Sequence, residues 1–320
     1  MRRKNLIAKK RASKNKLLFK DQKILNFYNK FKSIIFKTVK KKSFGLAVSG
    51  GSDSLCLAYF AKIYSLEFKN KVHTLIVDHK LRKESDRETI KVKKILARKK
   101  IHGKILKWKG KIPQSNIQMR AREMRYTLLS KYCLKNKVKY LITAHHGDDQ
   151  AETIFMRQGK NSGPDGLSGM AAGRALNGVR LLRPLLPKRR KDMEATLMAR
   201  RQPWLDDPSN EEIRFARVAA RRKLRGDEQE IIRLQALAQD AANQRRRNSH
   251  QRAALAAKTV RMHPAGFCRW DFPDGSDDAL TMALLADILL CIGGGIYRPR
   301  RDRLDRLYRN MTNRYTGSRK

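Results

Sequence analysis

Apolar positions along this chain fall into two kinds of run. Short, nearly unbroken stretches at Leu46–Val48, Thr74–Val77 and Tyr140–Ala144, with a weaker one at Ile105–Trp108, predict buried strands. Between them the apolar residues recur every three or four positions, which predicts helices. The first of these carries Leu17, Leu18, Ile24, Leu25, Tyr28, Phe31, Ile34 and Ile35, and others cover about 55–63, 84–99 and 116–134. Strands alternating with helices argue for an α/β fold with a doubly wound parallel sheet. In such a sheet a ligand sits beyond the carboxyl ends of the strands. The three stronger strands all run into polar chemistry there: Ser49–Ser54, Asp78-His79 and His145-His146. After about residue 225 the pattern is mainly helical, at 231–242, 252–260 and 280–292, and a cationic helix near 301–309 follows Gly293-Gly294-Gly295. This predicts a second, smaller helical domain.

Charge narrows the partners. The formal net charge is +45, from 74 basic and 29 acidic residues in 320, and such an excess repels itself unless it meets a polyanion. Residues 1–160 hold 32 Lys and 10 Arg, residues 161–320 hold 5 Lys and 27 Arg, so the halves differ in composition though both are basic. An apolar content of 41% supports a folded core. No run approaches the roughly 18 apolar residues of a membrane span, and the basic N-terminus lacks the apolar stretch of a secretory signal. Cys56, Cys133, Cys268 and Cys291 form no Cys-x-x-Cys pair, which argues against zinc or iron–sulfur sites and fits a cytoplasmic protein. Small buried hydrophobes are the expected role of three of them.

Two segments carry chemistry. Ser49-Gly50-Gly51-Ser52-Asp53-Ser54 joins a strand to a helix, and such a turn is an anion site: backbone N–H groups converge and the helix dipole adds positive charge. It is neither a Walker A loop nor G-x-G-x-x-G; the bland alternative is a glycine turn with a Ser or Asp cap. The second segment is His145-His146-Gly147-Asp148-Asp149-Gln150-Ala151-Glu152-Thr153. With a helix starting near Asp148, Asp149 and Glu152 share a face. Such carboxylates suit Mg²⁺ bridged to phosphates, or a cationic amine. The competing structural role is a capping box made by Asp149 and Glu152.

These blocks, with Val77-Asp78-His79-Lys80-Leu81-Arg82 and Ser162–Met170, resemble in order those of the bacterial tRNA(Ile)-lysidine synthetases of the PP-loop ATP-pyrophosphatase superfamily. Ile117-Gln118, Ala121-Arg122, Arg125-Tyr126, Arg183-Pro184-Leu185 and Trp204–Asn210 extend the likeness, followed by Phe215, Arg217 and Arg221. The resemblance spans roughly 40–225. It implies an adenine-nucleotide α-hydrolase-like domain at 40–225, preceded by a basic arm and amphipathic helix at 1–39 and followed by a helical tRNA-binding domain at 226–320. It also implies a reaction: ATP adenylates the C2 oxygen of the wobble cytidine of tRNA(Ile) with a CAU anticodon, and free lysine then displaces AMP to give lysidine. On this resemblance Ser49, Gly50, Gly51, Ser52, Asp53 and Ser54 bind ATP. Asp53, Arg122, His145, Asp149 and Glu152 serve catalysis, Asp53 and Asp149 hold Mg²⁺, and Arg183, Arg217 and Arg221 dock the tRNA. Lys80 stands where the family has glycine, Gln158–Asn161 replaces its Leu-x-Arg-Gly, and Ala219 occupies a position that is often Arg. The competing functions are a tRNA thiolase of the same superfamily and a non-catalytic basic RNA-binding protein.

Overall fold

The computed structural model describes residues 21–80, 85–110, 115, 117–159, 164–205, 216–273, 278–294 and 298–317. The chain divides into two compact units, residues 1–162 with 169–238, and residues 163–168 with 239–320.

The first unit opens with helix α1 (Gln22–Thr38), begun by Asp21, whose carboxylate accepts the Lys23 N–H at 2.7 Å. Strand β1 (Phe44–Ala47) and helix α2 (Ser52–Phe68) follow, then β2 (Val72–Asp78), α3 (Ser85–Arg98), β3 (Gly103–Lys107), α4 (Ile117–Lys135), β4 (Tyr140–Ile142) and α5 (Gly147–Gln158). After a one-turn helix α6 (Pro164–Leu167), which clusters with the second unit, come the hairpin β5 (Gly173–Leu176) and β6 (Val179–Leu182), then α7 (Arg190–Met198) and α8 (Ala216–Leu224). The sheet order is β3-β2-β1-β4-β6-β5, parallel throughout except for the β5–β6 pair. β1 therefore lies between β2 and β4, and the connections from β1 and from β4 leave in opposite directions. That is the crevice where doubly wound sheets take their ligands.

Every strand predicted from the apolar runs is present. The β5–β6 hairpin is not predicted by them, because Gly173, Arg174 and Arg180 interrupt its apolar residues. α1 is no loose appendage: Ile24, Leu25, Phe27, Tyr28, Phe31 and Ile35 are buried against α2, where the rings of Phe27 and Phe60 meet edge to face at 4.8 Å. Cys56 and Cys133 are buried as expected of small hydrophobes, whereas Cys291 is exposed.

Helix α9 (Glu228–Thr259) begins in the first unit, where Ile231, Leu234 and Ala238 are buried. The two helices expected at 231–242 and 252–260 are this single element. The polar stretch between them holds neither glycine nor proline, and side-chain bonds one turn apart, such as Gln244 to Asn248 at 2.7 Å, reinforce it. The second unit adds the hairpin β7 (Val260–Met262) and β8 (Cys268–Trp270), α10 (Asp278–Ile292) and α11 (Arg301–Gly317). Its core joins Leu285, Ala286, Leu304 and Tyr308, and the Tyr308 hydroxyl donates to Asp278 at 2.7 Å. Asp287, the charge within the apolar α10, is paired with Arg252 at 2.9 Å and with Arg298. Among the described residues no helix is long and apolar enough to cross a membrane.

Candidate nucleotide-binding and catalytic site

The turn after β1 is organised by its last serine. Ser54 Oγ accepts the N–H groups of Ser49 at 3.2 Å and Gly50 at 3.0 Å, and donates to the Gly51 carbonyl at 3.0 Å. Gly50 takes φ +102°, and a Cβ there would stand 2.5 Å from Val92 Cγ2, so this position requires glycine. Gly51 differs: its φ is −69°, and a Cβ would meet nothing within 4 Å. No side-chain hydrogen bond caps α2 among the described residues. With glycine at its N-cap α2 has no capping side chain there, and the loop lines the cavity at the positive end of the helix dipole, a place suited to an anion.

The start of α5 supplies the carboxylates. His146 is its N-cap, and its backbone N–H donates to Asp149 Oδ2 at 3.1 Å. The His146 ring is buried between acids, with Nε2 at 3.4 Å from Asp53 and 3.5 Å from Asp149, and Nδ1 at 3.4 Å from Asp148. Burial opposes a charge on this ring, but the Asp149, Asp148 and Asp53 carboxylates outweigh it and push its pKa up to about 10. His146 is therefore an imidazolium at neutral pH with both nitrogens donating. The 3.4 Å contact from the Asp149 N–H to Nδ1 then leaves that amide without a true acceptor. Asp148, despite burial, is held well below the usual carboxylate range by His146 and the Arg190 N–H, which it accepts at 2.7 Å, with Arg189 Nε at 2.9 Å on its other oxygen. Asp149 is likewise lowered, burial being overcome chiefly by His146 and Arg217.

The adjacent histidine behaves oppositely. His145 is pushed down to about 3, first by burial and then by Arg183, Arg122 and Arg125, against the pull of Asp149. It is a neutral ring, with Nδ1 at 2.9 Å from Thr143 Oγ1.

The capping role considered for Glu152 is not what the structure shows. At the helix start the Asp149 carboxylate takes the His146 N–H, and Glu152 lies a turn further on, buried, between two arginines of α8. Arg217 Nε donates to Glu152 Oε2 at 2.9 Å and Arg221 Nε to Oε1 at 2.8 Å. Arg217 also reaches Asp149 Oδ1 at 3.4 Å.

These parts surround one cavity of about 440 Å³ at the carboxyl edge of the sheet. Ser49, Gly51, Asp53 and Ser54 line it from the loop, and Arg122, His145, Asp149 and Arg217 from the other side. Arg122 packs over the Tyr126 ring, 5.1 Å from its centroid. Glu152 and Arg221 stand behind this wall. Arg183 is buried and donates to the Ala171 carbonyl at 2.6 Å. Sequence reasoning does not single out His146 as the cation of the cluster, nor Arg189 as its brace; His146's place beside two aspartates is the available signal.

The rim carries one departure from the family pattern. Lys80 adopts φ +52°, the left-handed region that favours glycine, while its N–H donates to the buried Asp78 at 3.0 Å. The turn is thus kept with lysine in the strained position. Of the segment 158–161, residues 160 and 161 lie outside the described residues, as does the stretch 206–215.

A mostly parallel sheet with an uncapped glycine loop and an acidic helix start at its switch point defines an α/β nucleotide-binding protein. A family model described as a PP-loop domain matches residues 20–228. A tRNA(Ile)-lysidine synthase of Methylobacterium sp. is 36% identical over 268 residues, covering 82% of this chain and 77% of that protein. One from Ruegeria pomeroyi is 37% identical over 276 residues, covering 83% and 64%, and one from Wolbachia pipientis wMel is 33% identical over 266, covering 80% and 61%. The chain belongs to the PP-loop family and, within it, to the tRNA(Ile)-lysidine synthases. It spans 64% and 61% of the lengths of the Ruegeria and Wolbachia proteins. Among solved structures, the U34-tRNA thiolase NcsA from Methanococcus maripaludis with its [4Fe-4S] cluster shares the fold, with a TM-score of 0.55 at 16% identity over 68% of this chain and 79% of that one.

Proposed function

We propose that this chain ligates lysine to C2 of the wobble cytidine of tRNA(Ile) through an adenylated intermediate, releasing pyrophosphate and then AMP. The observation that carries this reading is the convergence of the Ser49–Ser54 loop and the Asp149 carboxylate on one crevice, with Glu152 buried behind its wall. The loop's amides would hold the departing pyrophosphate, where fixed dipoles stabilise developing charge without reorganising. Arg122, on the opposite wall, would neutralise charge on the reacting phosphate.

Asp53 and Asp149 would hold Mg²⁺ here. Asp53 lines the cavity and is 25% exposed, and Asp149 faces it with 15%. Among the described residues no group of three or more such donors converges, so ATP oxygens and water would complete the shell, as Mg²⁺ prefers. When bound, the ion would offset phosphate charge.

His145, neutral down to about pH 3, is too weak a base to carry a proton near pH 7. Its role in this reading is to present an uncharged ring to the base or nucleotide. Asp149 and Glu152 would receive the cationic amine. The second unit, with Arg245–Arg247 on α9 and Arg301, Arg303, Arg306 and Arg309 on α11, would add phosphate contacts for tRNA. Arg217 and Arg221, about a third exposed, would join that docking, whereas Arg183, being buried, would act by shaping the hairpin beneath the site.

A thiolase would need a reactive thiolate. Burial pushes the Cys56 thiol far up and Cys133 to about 11, so neither of these two would serve as that thiolate. Pyrophosphate release from ATP, followed with tRNA(Ile) transcript and with or without lysine or a sulfur donor, tests the assignment. Release without need of sulfur supports it; RNA binding without ATP turnover identifies a binding protein.

A further inference from the structure

We propose that Arg217 and Arg221 form a latch that closes the amine-binding carboxylates until the phosphates of the RNA draw the arginines away. The inference rests on the reading of Asp149 and Glu152 as the amine site. In the structure that site is filled by the protein's own cations. Glu152 offers Oε2 to Arg217 at 2.9 Å and Oε1 to Arg221 at 2.8 Å, and Asp149 offers Oδ1 to Arg217 at 3.4 Å and Oδ2 to His146 at 3.5 Å. Every carboxylate oxygen of the pair has a cationic neighbour. An incoming ammonium would have to displace a guanidinium that already makes the stronger, directional contact.

Accessibility runs the opposite way for the two partners. The Glu152 side chain is 5% exposed, whereas Arg217 and Arg221 are 37% and 33% exposed. An anion in solution can therefore reach the arginines while a cation cannot reach Glu152. A phosphodiester is such an anion, and planar guanidinium groups match its oxygens in pairs. Transfer of each arginine from carboxylate to phosphate conserves the number of its charge-assisted bonds and uncovers Glu152. The swing uses two long side chains of α8 and makes no demand on the sheet. The residues that dock RNA would then be the residues that uncover the amine site, and RNA binding would precede productive lysine binding.

Coupling of this kind is reciprocal: if RNA tightens lysine binding, lysine tightens RNA binding by the same factor, which for coupled sites is about 5- to 150-fold. The test is equilibrium dialysis of labelled lysine against the full chain, alone and with saturating tRNA(Ile) transcript, beside Arg217→Gln, Arg221→Gln and the double variant. Melting curves identify any variant that fails to fold, and the wild-type arm needs no substitution. The latch predicts lysine binding at least about fivefold tighter with RNA, and tighter binding without RNA in the folded variants. Equal wild-type affinity with and without RNA overturns the latch while leaving the ligase reading intact. RNA-stimulated binding in wild type, with weaker binding in folded variants, overturns it too, showing the arginines to be supports. No lysine binding under any condition refutes the amine-site reading and the latch with it.

Discussion

Two neighbouring glycines in the loop separate what the fold needs from what the ligand needs. At Gly50, alanine would meet two penalties, a positive φ of +102° and a Cβ 2.5 Å from Val92 Cγ2. A strained backbone costs about 1–3 kcal/mol and overpacking a similar amount, so Gly50→Ala should lower stability by roughly 2–6 kcal/mol. At Gly51 the backbone is already compatible with alanine, with φ −69° and open space around the new methyl. Restricting the unfolded chain should then leave stability unchanged or raise it by about 0.4–1 kcal/mol. Gly51 lines the cavity, so that methyl would take up ligand space instead of meeting the protein. If it costs the bound nucleotide about 1–3 kcal/mol of overlap, affinity falls roughly 5- to 150-fold. Urea unfolding and fluorescent ATP-analogue titration on both variants provide the comparison. A Gly51→Ala protein of native stability that binds ATP as the parent does would refute the placement of the phosphates; a strongly destabilised one would refute the described loop.

Three further outcomes follow from the site. Lys80→Gly relieves a left-handed lysine at φ +52° while making the unfolded chain more flexible, and should raise stability by up to about 1 kcal/mol; a loss in urea unfolding would show that the turn is not strained. Glu152→Gln removes the charge shared by Arg217 and Arg221 and should cost about 1–3 kcal/mol by the same measurement as well as turnover, so unchanged melting would contradict the buried pairing. Stability should peak near pH 6.5. His146, raised from 6.5 to about 10, holds a proton that the unfolded chain has lost, so stability falls as pH rises through that window, by up to about 1.4 kcal/mol per unit. His145 and His79, lowered to about 3 and 4, resist protons that the unfolded chain takes up, so stability also falls as pH drops below 6.5. His146→Gln should flatten the alkaline limb of a pH series of unfolding curves, and a persisting decline would assign that limb elsewhere.

Much of the site is legible in the order of residues alone. Strands β1, β2 and β4 stand out as apolar runs, and their polar ends mark the crevice, because a parallel sheet places all carboxyl ends on one edge. Glu152 stands out in the sequence as a candidate carboxylate but not as one clamped between two arginines. Its partners Arg217 and Arg221 lie 65 and 69 residues away along the chain, and periodicity reports only the face of an element, not what packs against it. The same limit hides His146: its neighbours Asp148 and Asp149 are visible, but Asp53, the acid on its far side, comes from another loop. The β5–β6 hairpin escapes because four-residue strands carrying arginine have too little pattern to stand out.

The most direct test of the central claim is incorporation of labelled lysine into tRNA(Ile) transcript by the purified full chain with ATP and Mg²⁺, with pyrophosphate and AMP measured in parallel. The account predicts lysine fixed to the RNA at the wobble cytidine, with one pyrophosphate and one AMP released for each lysine incorporated. RNA bound without lysine incorporation or ATP cleavage, or ATP cleavage that modifies the RNA only when a sulfur donor is supplied, would contradict it.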